Sequence, residues 1–245
     1  MKLAQTHPLD LSVREAMQLQ QELRGEVTDR LSFDPQKVKR VAGTDISYLR
    51  EFRLALGAVL VMEFPAMEVI EETRCAIRVD FPYVPGLLSF RELPALLPAL
   101  EALNREPDII FVDGQGLAHP RGLGIASHLG LLAAKPTIGC AKSRLIGDSE
   151  EPGPEAGDWK PLLYEGGRIG AVLRTRYGVK PLYISVGHLI DLETAIKMVL
   201  ACSRGFRLPE PQRRAHLMAE EMKRMVRAGK IDEISAKTSR PNRAL

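Results

Sequence analysis

The stretch Asp108–Gly124, DIIFVDGQGLAHPRGLG, decides the fold class: a short apolar run halts at Asp113 and gives way to a loop carrying glycines 114, 116, 122 and 124. An unbroken run of this length reads as a strand buried on both faces, the kind found inside an α/β sheet. A second strand candidate, Lys37–Ile46, ends on VAGTD and carries Asp45. Both carboxylates are therefore expected at the C-terminal rim of a sheet, where ligands and metals collect in open α/β architectures. Glu92, in SFRELP, lies between them in the chain. A single aspartate ending a strand is ordinarily a turn former or helix cap. Two of them, flanked by unusual loops, favour a site. Hard oxygen donors without cysteine or histidine spacing suit a partly hydrated Mg²⁺, with Mn²⁺ as its substitute.

Working outward, Ser12 with Glu15 forms a capping-box pattern that predicts a helix ending near Gly25. Leu54–Met62 and Val69–Val79 read as strands joined closely enough to form an antiparallel meander with the Lys37–Ile46 strand. Leu93, Leu96, Leu97, Leu100 and Leu103 recur at helical spacing, with Pro94 suited to a first turn and Pro98 expected to bend or shorten the helix. Helices are also predicted over 126–134, 191–202 and 211–228, and strands over 136–140, 169–175 and 182–186. The segment GDSEEPGPEAGD, residues 147–158, holds five acids and no base, and reads as an exposed flap. A meander followed by alternating helices and strands predicts a mixed central sheet with helices on both faces. The expectation is one domain over 1–245, with 235–245 as a flexible tail.

Composition narrows the classes of function. A 45% hydrophobic content suits a globular core, and no apolar run approaches the ~18 residues a spanning helix needs. The N-terminal residues lack the apolar centre of a secretory signal. Cys75, Cys140 and Cys202 fit neither a zinc pattern nor a disulfide framework, so a reduced, cytoplasmic, monomeric protein is expected. The net charge is only +3, yet residues 201–230 carry eight basic against three acidic side chains, a local +5. A concentrated basic face suits a phosphate backbone, although a solvated helix face is the commoner reading.

Three further segments bear on chemistry. The glycine-rich loop fails the dinucleotide fingerprint, because His119 and Ser127 stand where a third glycine is required, and no GK[ST] follows to make a P-loop. It fits a pocket that reads its ligand with main-chain groups. FPYVPG, residues 81–86, mounts Tyr83 between Pro82 and Pro85; alone it reads as a packed turn, and beside metal-binding carboxylates it reads as a wedge for a base stack. Lys142, in CAKSRLIG, follows a short strand and would sit near Asp113, where an ammonium can neutralise phosphate charge. His216 lies beside an apolar stripe and by itself is more often structural than catalytic.

Taken together, TDISY, FPYVPGLLSFRE, FVDGQGLAHPRGLGIASHLG, AKSRL and PEPQRRAH closely resemble the endonuclease V family, the deoxyinosine 3′ endonucleases, over about Asp10 to Lys230. The resemblance implies a ribonuclease H-like fold. It implies a Mg²⁺ site on Asp45, Glu92 and Asp113, with Lys142 and His216 as auxiliary groups and Tyr83 as the strand-separating wedge. It matches Gly86, Leu88, Gly114, Gly116 and Gly124 to the region holding a flipped hypoxanthine, and His119, Arg121, Arg213 and Arg214 are expected to bind DNA. The implied reaction hydrolyses the second phosphodiester bond 3′ to deoxyinosine, leaving 3′-hydroxyl and 5′-phosphate ends. Rival expectations are an inosine-specific endoribonuclease, a junction-resolving nuclease of the same fold, and a binding module without catalysis.

Overall fold

The computed structural model describes residues 1–4 and 7–236. At its centre is a mixed eight-stranded sheet. β1 (Arg40–Leu49), β2 (Leu54–Glu63) and β3 (Glu68–Arg78) make the antiparallel meander. β4 (Ile109–Val112) and β5 (Thr137–Ala141) follow, then β6 (Trp159–Tyr164), β7 (Gly167–Leu173) and β8 (Leu182–His188). The spatial order is β3-β2-β1-β4-β5-β8-β7-β6, parallel only at β1–β4 and β4–β5. Period-two alternation divides the core. Val41, Ile109, Phe111 and Ile138 face α4 (Leu192–Ala201) and the start of α5 (Glu210–Arg227), whereas Ala42, Val59, Ile110 and Val112 face α2 (Leu88–Glu101) and α3 (Ile125–Ala133). Helices thus cover both faces of a mixed sheet, as the sequence predicts.

The N-terminal helix, α1 (Val13–Arg24), has the expected capping box: Ser12 N–H donates to Glu15 Oε2 at 2.8 Å, and Glu15 N–H to Ser12 Oγ at 3.3 Å. Four expectations need correction. The predicted strand from Lys37 begins later, because Asp34 caps a 3₁₀ turn over Pro35–Lys37, and it continues past Asp45 to Leu49 through pairing with β2. Asp45 is therefore mid-strand, opposite Ala58, rather than at a strand end. The rim survives in another form: the parallel ladder with β4 stops at Thr44 and Val112, one residue before each aspartate.

Second, α2 starts at Leu88, a turn earlier than the leucine spacing implies, and contains both Pro94 and Pro98, so Pro94 is interior and Glu92 sits on the helix. Two interior prolines cost roughly 3 kcal/mol each. Burial of Phe90, Leu93, Leu96 and Leu100 at about 1.5–3 kcal/mol per side chain offsets that. Third, Trp159–Tyr164 is a strand hidden from the sequence reading by Pro161; it lies on the sheet edge, where proline is tolerated. Fourth, the acidic flap is tethered. Arg174 donates to the carbonyls of Gly153 (2.6 Å) and Pro152 (3.0 Å) and pairs with Glu151 (2.7 Å). Of the tail expected over 235–245, Ser235 and Ala236 close α6 (Ile231–Ala236), and the rest lies outside the described residues.

α5 reaches β1 at Gly43. A Cβ there would stand 2.0 Å from the Pro211 carbonyl oxygen, so only glycine lets the helix approach. That approach carries His216, one and a half turns along, to Asp45. Gly43→Ala should destabilise the fold by about 1–3 kcal/mol, the usual range for overpacking. Urea unfolding measures it, and a variant as stable as the parent contradicts the close approach.

Candidate active site at the sheet rim

The β1–β4 parallel ladder delivers Asp45 and Asp113 side by side, and α2 lays Glu92 over them. Asp45 and Glu92 are 5% and 9% exposed, nearly dry for carboxylates. Burial first, and then the negative charge of Asp113, push the Asp45 carboxyl well above the usual carboxylate range. Glu92 is raised by burial and by both aspartates. Asp113 thus disfavours ionisation of Asp45, and both aspartates disfavour that of Glu92, as in carboxylates crowded at a functional site. Two nitrogen partners face them: Lys142 Nζ lies 2.5 Å from Asp113 Oδ2, and His216 Nδ1 lies 3.2 Å from Asp45 Oδ2. The three acids interact, yet they do not make a ready cage. Among the described residues no group of three or more His, Cys, Asp and Glu is arranged to hold a metal ion. Asp113 is turned to Lys142 and Asp45 to His216. The donor set itself, hard, anionic and mutually repelling, fits a divalent cation of the Mg²⁺ type.

Beside the acids opens a cavity of ≈ 430 Å³, its walls including Tyr83, Gly86, Leu88, Gly114, Gly124 and His119. Both ends of the acid cluster reach it, through Asp45, Glu92 and Asp113. Gly86 takes φ +79°, a turn only glycine makes without strain, and turns the chain from the FPYVPG loop into α2. Tyr83 is 74% exposed, between the exposed Pro82 and Pro85. The loop is braced from behind: Arg121 Nη2 donates to the Gly86 carbonyl at 2.6 Å, Arg121 Nε donates to Gln20, and Gln20 Nε2 donates to the same Gly86 carbonyl at 3.0 Å.

Several sequence-predicted residues take other positions. Gly116 does not line the cavity; it packs against Val186 of β8, and its N–H donates to Ser185 Oγ at 2.8 Å. Gly124 N–H is likewise occupied, by the Gly116 carbonyl. These main-chain amides hold the loop together. Arg121 is an internal brace, and His119 is a buried wall residue held neutral, its pKa lowered to about 4 by burial and by Arg121. Arg213 makes a bidentate pair with Glu210 and lies over the Phe206 ring at 4.3 Å, and Arg214 shares the same glutamate at 3.5 Å. Glu210 therefore offsets part of the basic face. Sequence reasoning missed Ser89 and Gln115, which also line the cavity. Ser89 lies one turn before Glu92, a signal present in SFRE, whereas Gln115 has none beyond sitting between two glycines.

Ser89 is oriented by a buried relay. His7 Nδ1 donates to the Pro8 carbonyl oxygen at 2.8 Å. His7 Nε2 and His128 Nε2 share a hydrogen bond at 2.6 Å, and His128 Nδ1 shares another with Ser89 Oγ at 3.1 Å. His128 is fully buried, and burial followed by the nearness of His7 lowers its pKa to about 3.

Comparison with known proteins gives one consistent result. The family model described as "Endonuclease V" matches residues 21–217. An endonuclease V of Trichormus variabilis is 51% identical over 219 residues, covering 89% of this chain and 99% of that protein. The crystal structure of an endonuclease V from Bacillus subtilis superposes with a TM-score of 0.89 at 30% identity, over 94% of this chain and 100% of that one. Endonuclease V of Ciona intestinalis, solved with a 23-mer DNA containing an inosine followed by a ribo-adenosine, superposes with a TM-score of 0.79 at 30% identity, over 87% of this chain and 98% of that one.

The relay has a pH signature. Above the unfolded value near 6.5, His128 is neutral in both states and adds no slope. As pH falls from there towards 3, the unfolded chain takes up the proton first, and stability drops by on the order of 4–5 kcal/mol in all. His128→Asn, which keeps an acceptor for Ser89, should flatten the slope of unfolding free energy between pH 6.5 and 4. An unchanged slope in urea melts contradicts the buried neutral histidine.

Proposed function

The chain belongs to the endonuclease V family, and from that footing we propose an enzyme that recognises deoxyinosine in DNA and hydrolyses the second phosphodiester bond on its 3′ side, leaving 3′-hydroxyl and 5′-phosphate ends. The observation that carries this reading is the crowding of Asp45, Glu92 and Asp113 beside a ≈ 430 Å³ cavity, large enough for a single base, with an exposed aromatic at its mouth. A nucleotide extruded from a duplex needs those two elements together: a wedge for the vacated stack and a slot for the base.

We assign the roles as follows. Tyr83, on its proline-stiffened and Arg121-braced loop, enters the stack. Gly86, Leu88, Gly114 and Gly124, with Ser89 and Gln115, contact the extruded base. An inosine pair is weaker than a normal one, so extruding it costs less, which is one source of selection. Asp45 and Asp113, with Glu92, hold Mg²⁺ or Mn²⁺. Such an ion, when bound, supplies Lewis-acid stabilisation and an activated water at neutral pH. Lys142 brings a positive charge to the scissile phosphate, and His216 holds Asp45 in orientation or moves a proton at its Nδ1. Arg213 and Arg214 add charge along the approaching backbone, tempered by Glu210. Among the described residues no helix is long and apolar enough to cross a membrane, and three free cysteines fit the reducing cytoplasm to which this reading assigns the enzyme.

A second reading has one specific support. The Ciona enzyme was solved on a strand whose inosine precedes a ribonucleotide. Nicking of matched substrates with inosine in DNA and in RNA, with product ends mapped, decides between them. Asp45→Ala and Asp113→Ala should each lower nicking of an inosine duplex in Mg²⁺ by more than ~100-fold, beyond the loss typical of an outer-shell partner. Retained nicking in either variant refutes the assignment. Tyr83→Ala should weaken duplex affinity, measured in Ca²⁺, more than it slows single-turnover cleavage. Equal affinity for variant and parent counts against a wedge.

A further inference from the structure

We propose that Arg207 is a positioning residue for Lys142, an inference that rests on the nuclease reading above. Lys142 is the first residue beyond β5, where no strand partner fixes it. Three side chains hold its main chain instead. Gln212 Nε2 donates to the Cys140 carbonyl at 2.7 Å, Gln115 Nε2 to the Ser143 carbonyl at 3.1 Å, and Arg207 Nη2 to the carbonyl of Lys142 itself at 2.8 Å.

Arg207 ties that point to a second segment. Its Nη2 also donates to the Pro181 carbonyl at 2.8 Å, and its Nε to the Lys180 carbonyl at 2.8 Å, both just before β8. Arg207 is fixed in turn, because Thr175 Oγ1 donates to its carbonyl oxygen at 2.5 Å. These partners are main-chain carbonyls, not carboxylates, so the guanidinium serves as a rigid fork bridging two strand ends. By contrast Arg213 and Arg214, on the adjoining helix, pair with Glu210. The consequence falls on the ammonium 2.5 Å from Asp113. Lys142 has four flexible side-chain bonds, and the only way to limit where its Nζ can reach is to fix where its Cα begins. A displacement of ~1 Å at a reacting centre costs up to ~10²-fold in rate.

A double-mutant cycle tests this on the full-length chain, with parent, Arg207→Ala, Arg207→Lys, Lys142→Ala and the Arg207→Ala/Lys142→Ala double variant. The parent's nicking of an inosine duplex is the control: if it fails, the nuclease reading fails, and the cycle says nothing against Arg207. Given an active parent, Arg207→Ala should lower the single-turnover rate ~10–100-fold with duplex affinity in Ca²⁺ changed less than ~3-fold. The double variant should then be no slower than Lys142→Ala, because the arginine acts only through the lysine. Arg207→Lys, with a compact point charge that cannot span three carbonyls, should recover at most part of the rate. A readout independent of activity is reductive methylation of Lys142, mapped by mass spectrometry, which should change in rate in Arg207→Ala while Lys135 and Lys160 do not. Multiplicative losses in the double variant overturn the proposal. So does a loss of affinity with a salt dependence shallower by about one unit, which marks a direct phosphate contact. If Arg207→Ala does not fold, Arg207→Lys carries the cycle; full activity and parental Lys142 labelling in that folded variant also overturn it.

Discussion

Everything at the site depends on the parallel pairing of β1 with β4. That ladder ends at Thr44 and Val112, and the next residue on each strand is an aspartate. Two residues far apart in the chain are thus placed at the spacing of adjacent strands, about 4.8 Å, by main-chain hydrogen bonds rather than by their own attraction. Two charges there would repel, so Asp45 keeps its proton more tightly than usual and hydrogen-bonds Asp113, while strands buried on both faces hold the pair together. α5, admitted by Gly43, and α2, anchored through Phe90, Leu93, Leu96 and Leu100, close over the pair and bring His216 and Glu92 with them.

The rim is consequently a set of charges in tension. Asp45 and Glu92 are buried and resist ionisation; Lys142 lowers that resistance at Asp45, and Arg91 lowers it at Glu92. The side chains of Lys142 and His216 are 38% and 41% exposed, so neither is locked in place by burial. A partly exposed ion pair such as Lys142–Asp113 exchanges partners at little cost, so on the proposed reading a substrate phosphate arriving at the rim would draw Lys142 from Asp113 while the acids remain fixed by the fold.

How much of this the sequence discloses depends on whether the responsible contact is local. The DIIFV run, the meander and the capping box rest on neighbours within a few residues, and they emerge where expected. The length of β1 does not, because residues 46–49 are held as strand by pairing with β2, a partner outside any local pattern. The early start of α2 is likewise invisible: its prolines argue against a helix, and burial against the sheet outweighs them. Asp45, Asp113 and Lys142 are legible from the strand ends they follow, Tyr83 as a wedge chiefly through resemblance, and all four line one cavity at the rim. What resemblance left open is which glycines touch the cavity. Gly116 and Gly124 stand in the same loop, yet Gly116 spends its N–H on Ser185 and its α-carbon on Val186, and only packing against β8 decides that.

The same distinction bears on the proposed wedge and base slot, which share one mount. Arg121 and His119 read in the sequence as surface groups for DNA, but the backbone turn between them directs one into the Gly86 carbonyl and the other into the cavity wall. Arg121 also bonds Gln20 of α1, so three segments remote in sequence meet at the base of the FPYVPG loop. A wedge transmits force to a stack only if its mount does not yield, and an exposed tyrosine between two prolines is no stiffer than the glycine that follows it. Gly86 must be glycine to turn the chain, and so it is the weakest point of the loop. The bracing falls on that residue's carbonyl, at the point where the loop would otherwise yield.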